Sequence, residues 1–299
     1  MSGRSALNSL EQEGRALVER LGGRWTASGG LCRCPAHDDR TPSLSVRVGE
    51  TSLLLHCFAG CEATDILKAL RASGRPLQVP PADLRGERQV PGERTAAARS
   101  AAAARRIWRD ARPIAGTPAE TYLDYRSLRT ASSELRYHPR APHGPRPLTR
   151  FRPALIAAVR DESGLVAVHR TFLEPAGHRL AAIEAPRCGL GRFGCGAVRL
   201  GGVAPRLGLA EGIETALSAS ALFGLPCWAT LGTERFRHVA IPPDVTELVL
   251  FLDNDPGGRR AEALARGAFA HLAIETRYPR RPGAGWNDVL RAERRVPDP

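Results

Sequence analysis

From residue 206 onward, short apolar runs alternate with amphipathic stretches. RLGLAEG, CWATLG, ELVLFLDND and HLAIETRYP have strand length, while IETALSASALFG, ERFRHVA, GGRRAEALARGAFA and GWNDVLRAERR have helical spacing. Such alternation predicts a parallel α/β unit of about four strands. Upstream the pattern differs. NSLEQEGRALVERL puts Leu10, Leu17, Val18 and Leu21 on one helical face, and Gly22-Gly23 stops that helix. LSVRV and SLLLH read as a strand pair around Gly49-Glu50. ATDILKALRAS reads as a helix capped by Thr64 and ended by Gly74.

Residues 75–95 are rich in proline and charge without periodicity, which predicts a linker. TAAARSAAAARRIWRDA is a helix by propensity, and TPAETYLDYRSL a capped one. Residues 154–174 read as a hairpin turning at Glu162-Ser163-Gly164. Residues 175–205, Gly-rich and basic, read as an irregular surface stretch of the kind that carries binding residues. There are no internal repeats.

The 299 residues suffice for two or three domains. No apolar run approaches the ~20 residues of a membrane helix. The start, MSGRSALNSLEQEG, lacks a secretory apolar core, so a cytoplasmic location is expected. In that setting seven cysteines point to metal ligands before disulfides. Net charge is +12, and its excess is uneven: two over residues 1–75, ten over 76–205, none over 206–299. High-GC codon usage would enrich arginine everywhere but leaves the neutral last third unexplained; a basic middle suits a polyanion such as nucleic acid. Lysine occurs once, at Lys68, with no Gly-rich loop before it. A P-loop needs both, so a Walker-type ATPase or helicase motor is excluded.

Two constellations carry chemistry. Cys34-Pro-Ala-His37 and Cys57-Phe-Ala-Gly-Cys61 are two pairs of soft ligands at structural-zinc spacing, with Cys32 and His56 as adjacent competitors. A small N-terminal unit needs such a staple. Glu211 ends one expected strand, with Gly212 directly after it, and Asp253-Asn254-Asp255 another, followed by Pro256-Gly257-Gly258. Carboxylates at the carboxyl ends of parallel strands line the crevice where α/β sheets bind ligands. Alternation along a strand would make the two aspartates face together. Three acids in one place need a cation, and hard oxygens suit Mg²⁺.

CPAHDDRTPSLSV…LLLHCFAGCEATDIL resembles the zinc ribbon of bacterial and phage primases, with Arg40-Thr41-Pro42-Ser43-Leu44 and Asp65-Ile66-Leu67 at matching places. The second knuckle is CxxxC where CxxC is commoner, a variant similar to those of mobile-element primases. EGIETALSA, LVLFLDNDPGGRRAEALA and Gly285-Trp286-Asn287-Asp288-Val289-Leu290 resemble the motifs of the Toprim domain. The fold class this implies is α+β multidomain: a zinc ribbon over 1–74, a linker over 75–95, a basic α+β subdomain over 96–205, and a Toprim α/β domain over 206–299. By that resemblance Glu211, Asp253 and Asp255 are the magnesium-binding catalytic set, with Asp288 and Glu214 as further candidates; Thr215 stands where many bacterial primases have an acid. The ribbon engages the single-stranded template, where Arg33, Arg40 and Arg47 could meet phosphate, and Arg187 and Arg192 would bind nucleic acid or NTP.

The implied activity is DNA primase: RNA primers made from NTPs on single-stranded DNA, with structural Zn²⁺ and catalytic Mg²⁺ or Mn²⁺. A separate helicase would act in trans, and the role would be in replication of a plasmid, phage or integrated element. A topoisomerase would need a DNA-gate domain for which 299 residues leave no room. Toprim nucleases joined to an ATPase are excluded by the absent P-loop. A non-catalytic single-strand-binding or recombination-mediator protein and a small Toprim nuclease stand as the alternatives.

Overall fold

The computed structural model describes residues 2–26, 29–37, 42–49, 52–57, 61, 63–73, 91–144 and 149–294. They fall into two compact units, residues 1–89 and 90–299. The first unit contains α1 (Ser2–Arg20), β1 (Arg24–Thr26), β2 (Gly29–Cys32), β3 (Leu44–Val48), β4 (Leu53–Cys57) and α2 (Ala63–Ala72). Its strands form an antiparallel sheet in chain order. Leu17 and Val18 of α1 and Ile66 and Leu70 of α2 bury against Leu44 and Val46. The close approach of α1 requires glycine at position 30, because a Cβ there would stand 2.6 Å from Val18. Thr64 lies inside α2, one residue past its start, and the expected stop at Gly74 lies outside the described residues.

The second unit opens with α3 (Pro91–Asp110), so helix replaces the last residues of the expected linker; residues 75–90 lie outside the described residues. There follow β5 (Arg112–Pro113), α4 (Pro118–Asp124), β6 (Leu135–His143), β7 (Arg150–Asp161), β8 (Gly164–Phe172) and β9 (Arg187–Gly191). Thr117 caps α4 by accepting the Ala119 N–H, with Pro118 at the first helical position. The five strands form an antiparallel sheet in chain order. The expected hairpin is its centre. Residues 175–205, read as irregular, in fact supply the edge strand β9, since β8 leaves a row of backbone groups that must be paired. One sheet face, with Ile156, Val168 and Phe172, packs on Ile107 and Trp108 of α3. The other, with Leu155, Ala157 and Val159, packs on α4 and on the elements that follow.

Those elements are β10 (Arg206–Ala210), α5 (Ile213–Phe223), β11 (Cys227–Ala229), a 3-10 turn (Thr233–Arg237), β12 (Glu247–Phe251), α6 (Pro256–Ala268), β13 (Ala273–Arg277) and α7 (Trp286–Glu293). The strands are all parallel, in the order β11-β10-β12-β13. Alternate residues sort to the two faces as the pleat demands. Ala210, Val249 and Phe251 meet α5 and α7; Leu207, Leu209, Leu248 and Leu250 meet α6 and the 3-10 turn. Residues 197–198 stitch the two sheets together: Ala197 exchanges hydrogen bonds with Arg160 of β7, and Val198 with Ala229 of β11. Among the described residues no helix is long and apolar enough to cross a membrane.

Candidate metal centres

In the first unit β3 pairs with both β2 and β4, with Leu44 opposite Cys32 and Cys57. The ends of β2 and β4 are thereby held beside each other. Cys34 and His37 follow the first, Cys57 closes the second, and Cys61 precedes α2. Ligand atoms of these four residues all lie within 4.8 Å of one another. His37 Nδ1 is 3.2 Å from Cys61 Sγ and 4.0 Å from Cys57 Sγ. Ser43 Oγ lies 3.6 Å from Cys57 Sγ. Hydrogen bonds with Cys34 and Cys61 drive the Cys57 thiol far down from its ordinary value, while those with Cys34 and Cys57 push Cys61 up. Three sulfurs and one imidazole at this reach are the donor set of a structural zinc site. Cys32, buried, donates its S–H to the Leu44 carbonyl at 3.6 Å, and His56 is exposed on β4; neither belongs to the group of four. Arg33 and Arg47 are exposed, and Arg40 lies outside the described residues.

The carboxylates gather at the carboxyl end of the parallel sheet. Glu211 directly follows β10; Asp253 and Asp255 follow β12; Asp288 sits in the first turn of α7, beyond β13. The two aspartates are not on a strand, because β12 ends at Phe251. Instead Asp255 caps α6, its Oδ1 accepting the Gly258 N–H at 2.8 Å, and the Asp255 N–H bonds the Asp253 carbonyl at 2.8 Å. Asp253 is thereby folded back over the sheet end. Its Oδ1 is buried and has no hydrogen-bond partner among the described residues. Gly285 keeps the approach to that atom open, since a Cβ there would stand 3.2 Å from it.

Glu211 is held by a residue that motif reading passed over. Its Oε2 accepts the Thr233 hydroxyl at 3.1 Å. Leu231, at φ 67°, and Gly232, at φ 149°, turn the chain after β11 so that Thr233 lands there. A left-handed leucine costs on the order of 1 kcal/mol, and its N–H bonds the Glu211 carbonyl at 2.8 Å. The signal was present as Leu231-Gly232-Thr233 at the end of a strand adjacent to β10, but only the strand order makes the two neighbours. Burial raises the Glu211 carboxyl above its usual range; Thr233 lowers it, and the charges of Asp253 and Asp255 raise it further. Asp253 is raised by burial, then by Asp255 and Asp288. Glu211, Asp253, Asp255 and Asp288 therefore share one electrostatic field. A buried unpaired oxygen within such a field fits a hard divalent cation, which takes one or two carboxylates and completes its shell with water and phosphate.

Glu214 stands apart from this group. Its Oε1 accepts the Tyr122 hydroxyl at 2.6 Å and Arg187 Nη2 at 2.7 Å. Burial pushes its carboxyl up, but Arg187 and the bonds from Tyr122 and Arg187 outweigh it and hold the group at about 2. A carboxylate so engaged is a partner for arginine. Arg187, in turn, is tied to Glu214 and Tyr122 through Nη2, with its side chain 45% exposed. Arg192, just past β9, is exposed. Asn287 ties α7 to α5 and α4, donating to Ser218 Oγ at 3.1 Å and the Arg126 carbonyl at 2.9 Å. Asp288 Oδ2 accepts the Gly285 N–H at 3.1 Å, bracing the loop that faces Asp253.

The parallel sheet thus carries an acid after β10 and an acid pair after β12. Residues 206–295 match the family model described as a Toprim domain, and residues 98–200 match one described as a domain of unknown function, DUF7146. Among solved structures the chain is similar to a DNA primase domain from Pseudomonas aeruginosa (14% identity, 65% of this chain and 75% of that one, TM-score 0.48). It is also similar to the zinc-binding and RNA polymerase domains of the Aquifex aeolicus primase (15% identity, 98% and 83%, TM-score 0.47). A third is the RNA polymerase domain of the Mycobacterium tuberculosis primase (16% identity, 67% and 82%, TM-score 0.42). No curated protein matches.

Proposed function

We propose that the chain is a DNA primase, joining ribonucleotides on a single-stranded DNA template. The observation that carries this reading is the buried, unpartnered Asp253 Oδ1, held by the Asp255 cap in a field of three further acids at the end of a Toprim sheet. Glu211, Asp253 and Asp255 would hold Mg²⁺, with Asp288 close enough to act on Asp253. When bound, magnesium supplies charge neutralisation on the transferring phosphoryl group and lowers the pKa of the attacking hydroxyl. Thr233 orients the Glu211 carboxylate, and Gly257 and Gly285 leave room for phosphate beside it. The primer 3′-hydroxyl attacks the α-phosphate of an incoming NTP, and pyrophosphate departs. Exposed Arg192 and the open side of Arg187 would meet phosphates, and as arginines they bind without exchanging protons. Cys34, His37, Cys57 and Cys61 would hold Zn²⁺, giving the first unit the rigidity to present a template. A helicase acting in trans fits a chain without a P-loop.

The test is incubation of the full chain with single-stranded template, Mg²⁺ and labelled NTPs. Template-dependent products that disappear in Asp253→Ala are the expected result. Template binding without synthesis would replace this reading by a mediator role, and metal-dependent cleavage by a nuclease.

A further inference from the structure

Residues 135–160 contain six arginines, two histidines and no acid. Arg160 pairs with Glu134, and Arg136 stacks on Trp108. Arg140, Arg150 and Arg152 have no ion-pair partner among the described residues. Within this stretch Phe151 is 58% exposed, with the Arg140 guanidinium 5.5 Å from its ring centre. Strand alternation puts Phe151 on the sheet face of Leu155, beyond the part that α4 covers.

A second exposed ring lies at the same end and face. The Leu173 N–H bonds the Pro153 carbonyl at 2.9 Å, and Leu173 bridges Leu180, so the turn 174–179 extends β8 beside the Phe151 end of β7. The turn folds onto α4: a Cβ at Gly177 would stand 2.4 Å from the Pro118 carbonyl oxygen. There His178 stacks on Tyr125, the residue after α4, at 5.8 Å and 26°. Tyr125 is 55% exposed. Glu174 is the one carboxylate in the turn, and Arg179 and His178 accompany it.

We propose that this end of the five-stranded sheet is a stacking platform for single-stranded nucleic acid, with bases on Phe151 and Tyr125 and phosphates on Arg140 and Arg150. Two separate rings set among unpaired arginines suit flat, anionic polymers: every base offers a π-face, and each phosphate a charge. An apolar protein partner would need a continuous apolar patch, and the two rings are interrupted by arginine and histidine. The platform rests on the primase reading only for the strand being template.

The full chain is titrated into a labelled oligodeoxythymidine of about 20 nucleotides, long enough to span several such contacts, and anisotropy is followed at several salt concentrations. Phe151→Ala weakens binding about tenfold, and adding Tyr125→Ala weakens it further. Arg140→Ala lowers the slope of log affinity against log salt by about 0.7. Phe151→Trp binds as the parent does, and its added emission is quenched by the oligonucleotide. Unchanged affinity in the double variant, or an unquenched Trp at 151, overturns the platform. If wild type synthesises primers and Phe151→Ala binds normally, the platform falls and the primase reading stands. If wild type makes no primer yet Phe151→Ala loses affinity, the reverse holds.

Discussion

At the N-terminal cluster four soft ligands arrive from two short knuckles, and their ligand atoms lie within 4.8 Å of one another. At the acidic site four carboxylates arrive from two loops and the first turn of α7; two cap helices, one takes a hydroxyl, and one buried oxygen takes nothing. The first set is bound up with folding, because its unit is small and its core is partly made of those cysteines. The second sits on a sheet that is packed on both faces without it. Burial and the neighbouring acids raise the proton affinity of Glu211 and Asp253, so keeping those two ionised works against stability. One centre is an architectural requirement of its unit. The other, on the proposed reading, is a functional cost to its own.

The largest effect expected from that contrast is on removal of zinc. Cys57→Ser, or a strong zinc chelator, should abolish cooperative melting of the first unit, since structural zinc contributes on the order of 10 kcal/mol in small sites. The melting transition of the second unit should stay where it is. Calorimetry with metal analysis checks this, and a first unit that melts unchanged after losing its zinc would break the comparison.

Asp253→Asn should do the opposite. Nucleotide joining should fall by about a thousandfold or more through loss of charge-stabilising ligands. The second unit should melt higher at neutral pH. The sign follows from the raised folded-state pKa of Asp253: its contribution is favourable below the unfolded value and is lost as pH rises through the folded one.

Glu214 sharpens the comparison, as a carboxylate three residues from Glu211 that stabilises the fold. Its pKa falls from 4.5 to about 2, so it contributes on the order of 3 kcal/mol, present above 4.5 and lost as pH falls toward 2. Glu214→Gln should remove most of this at neutral pH and flatten acid unfolding across that window, as followed by circular dichroism.

The smallest effect belongs to Thr233→Val. Loss of one hydrogen bond to a charged group should lower kcat about tenfold with little change in KM for NTP. It also removes an influence that lowers the Glu211 pKa, so the acid limb of the rate profile should move to higher pH. A pH–rate profile identical to wild type would show that Thr233 does not orient Glu211.

The parallel sheet was legible because each strand is a short apolar run and each helix has its own period. The zinc knuckles were legible because their ligands are near neighbours in sequence. β6 and β9 were harder. β6 is interrupted by proline and basic residues, and Arg187–Gly191 is a Gly-rich run with no alternation; both are strands because neighbouring edges needed pairing. The Asp253–Asp255 pair was placed at the right end of the sheet by the wrong device, strand alternation in place of a helix cap. The Glu214–Arg187–Tyr122 cluster was out of reach, because its members are separated by up to 92 residues and come from α5, β9 and α4.

By itself the sequence determined which local periods exist, where the helices stop, which ligands share a knuckle, and where acids follow strands. These depend on neighbours within a few residues. Only the tertiary structure decided which acids share a field, which one is consumed by an arginine, and which hydroxyl reaches Glu211. Those outcomes depend on strand order and on the burial of individual atoms, and both are set by long-range packing.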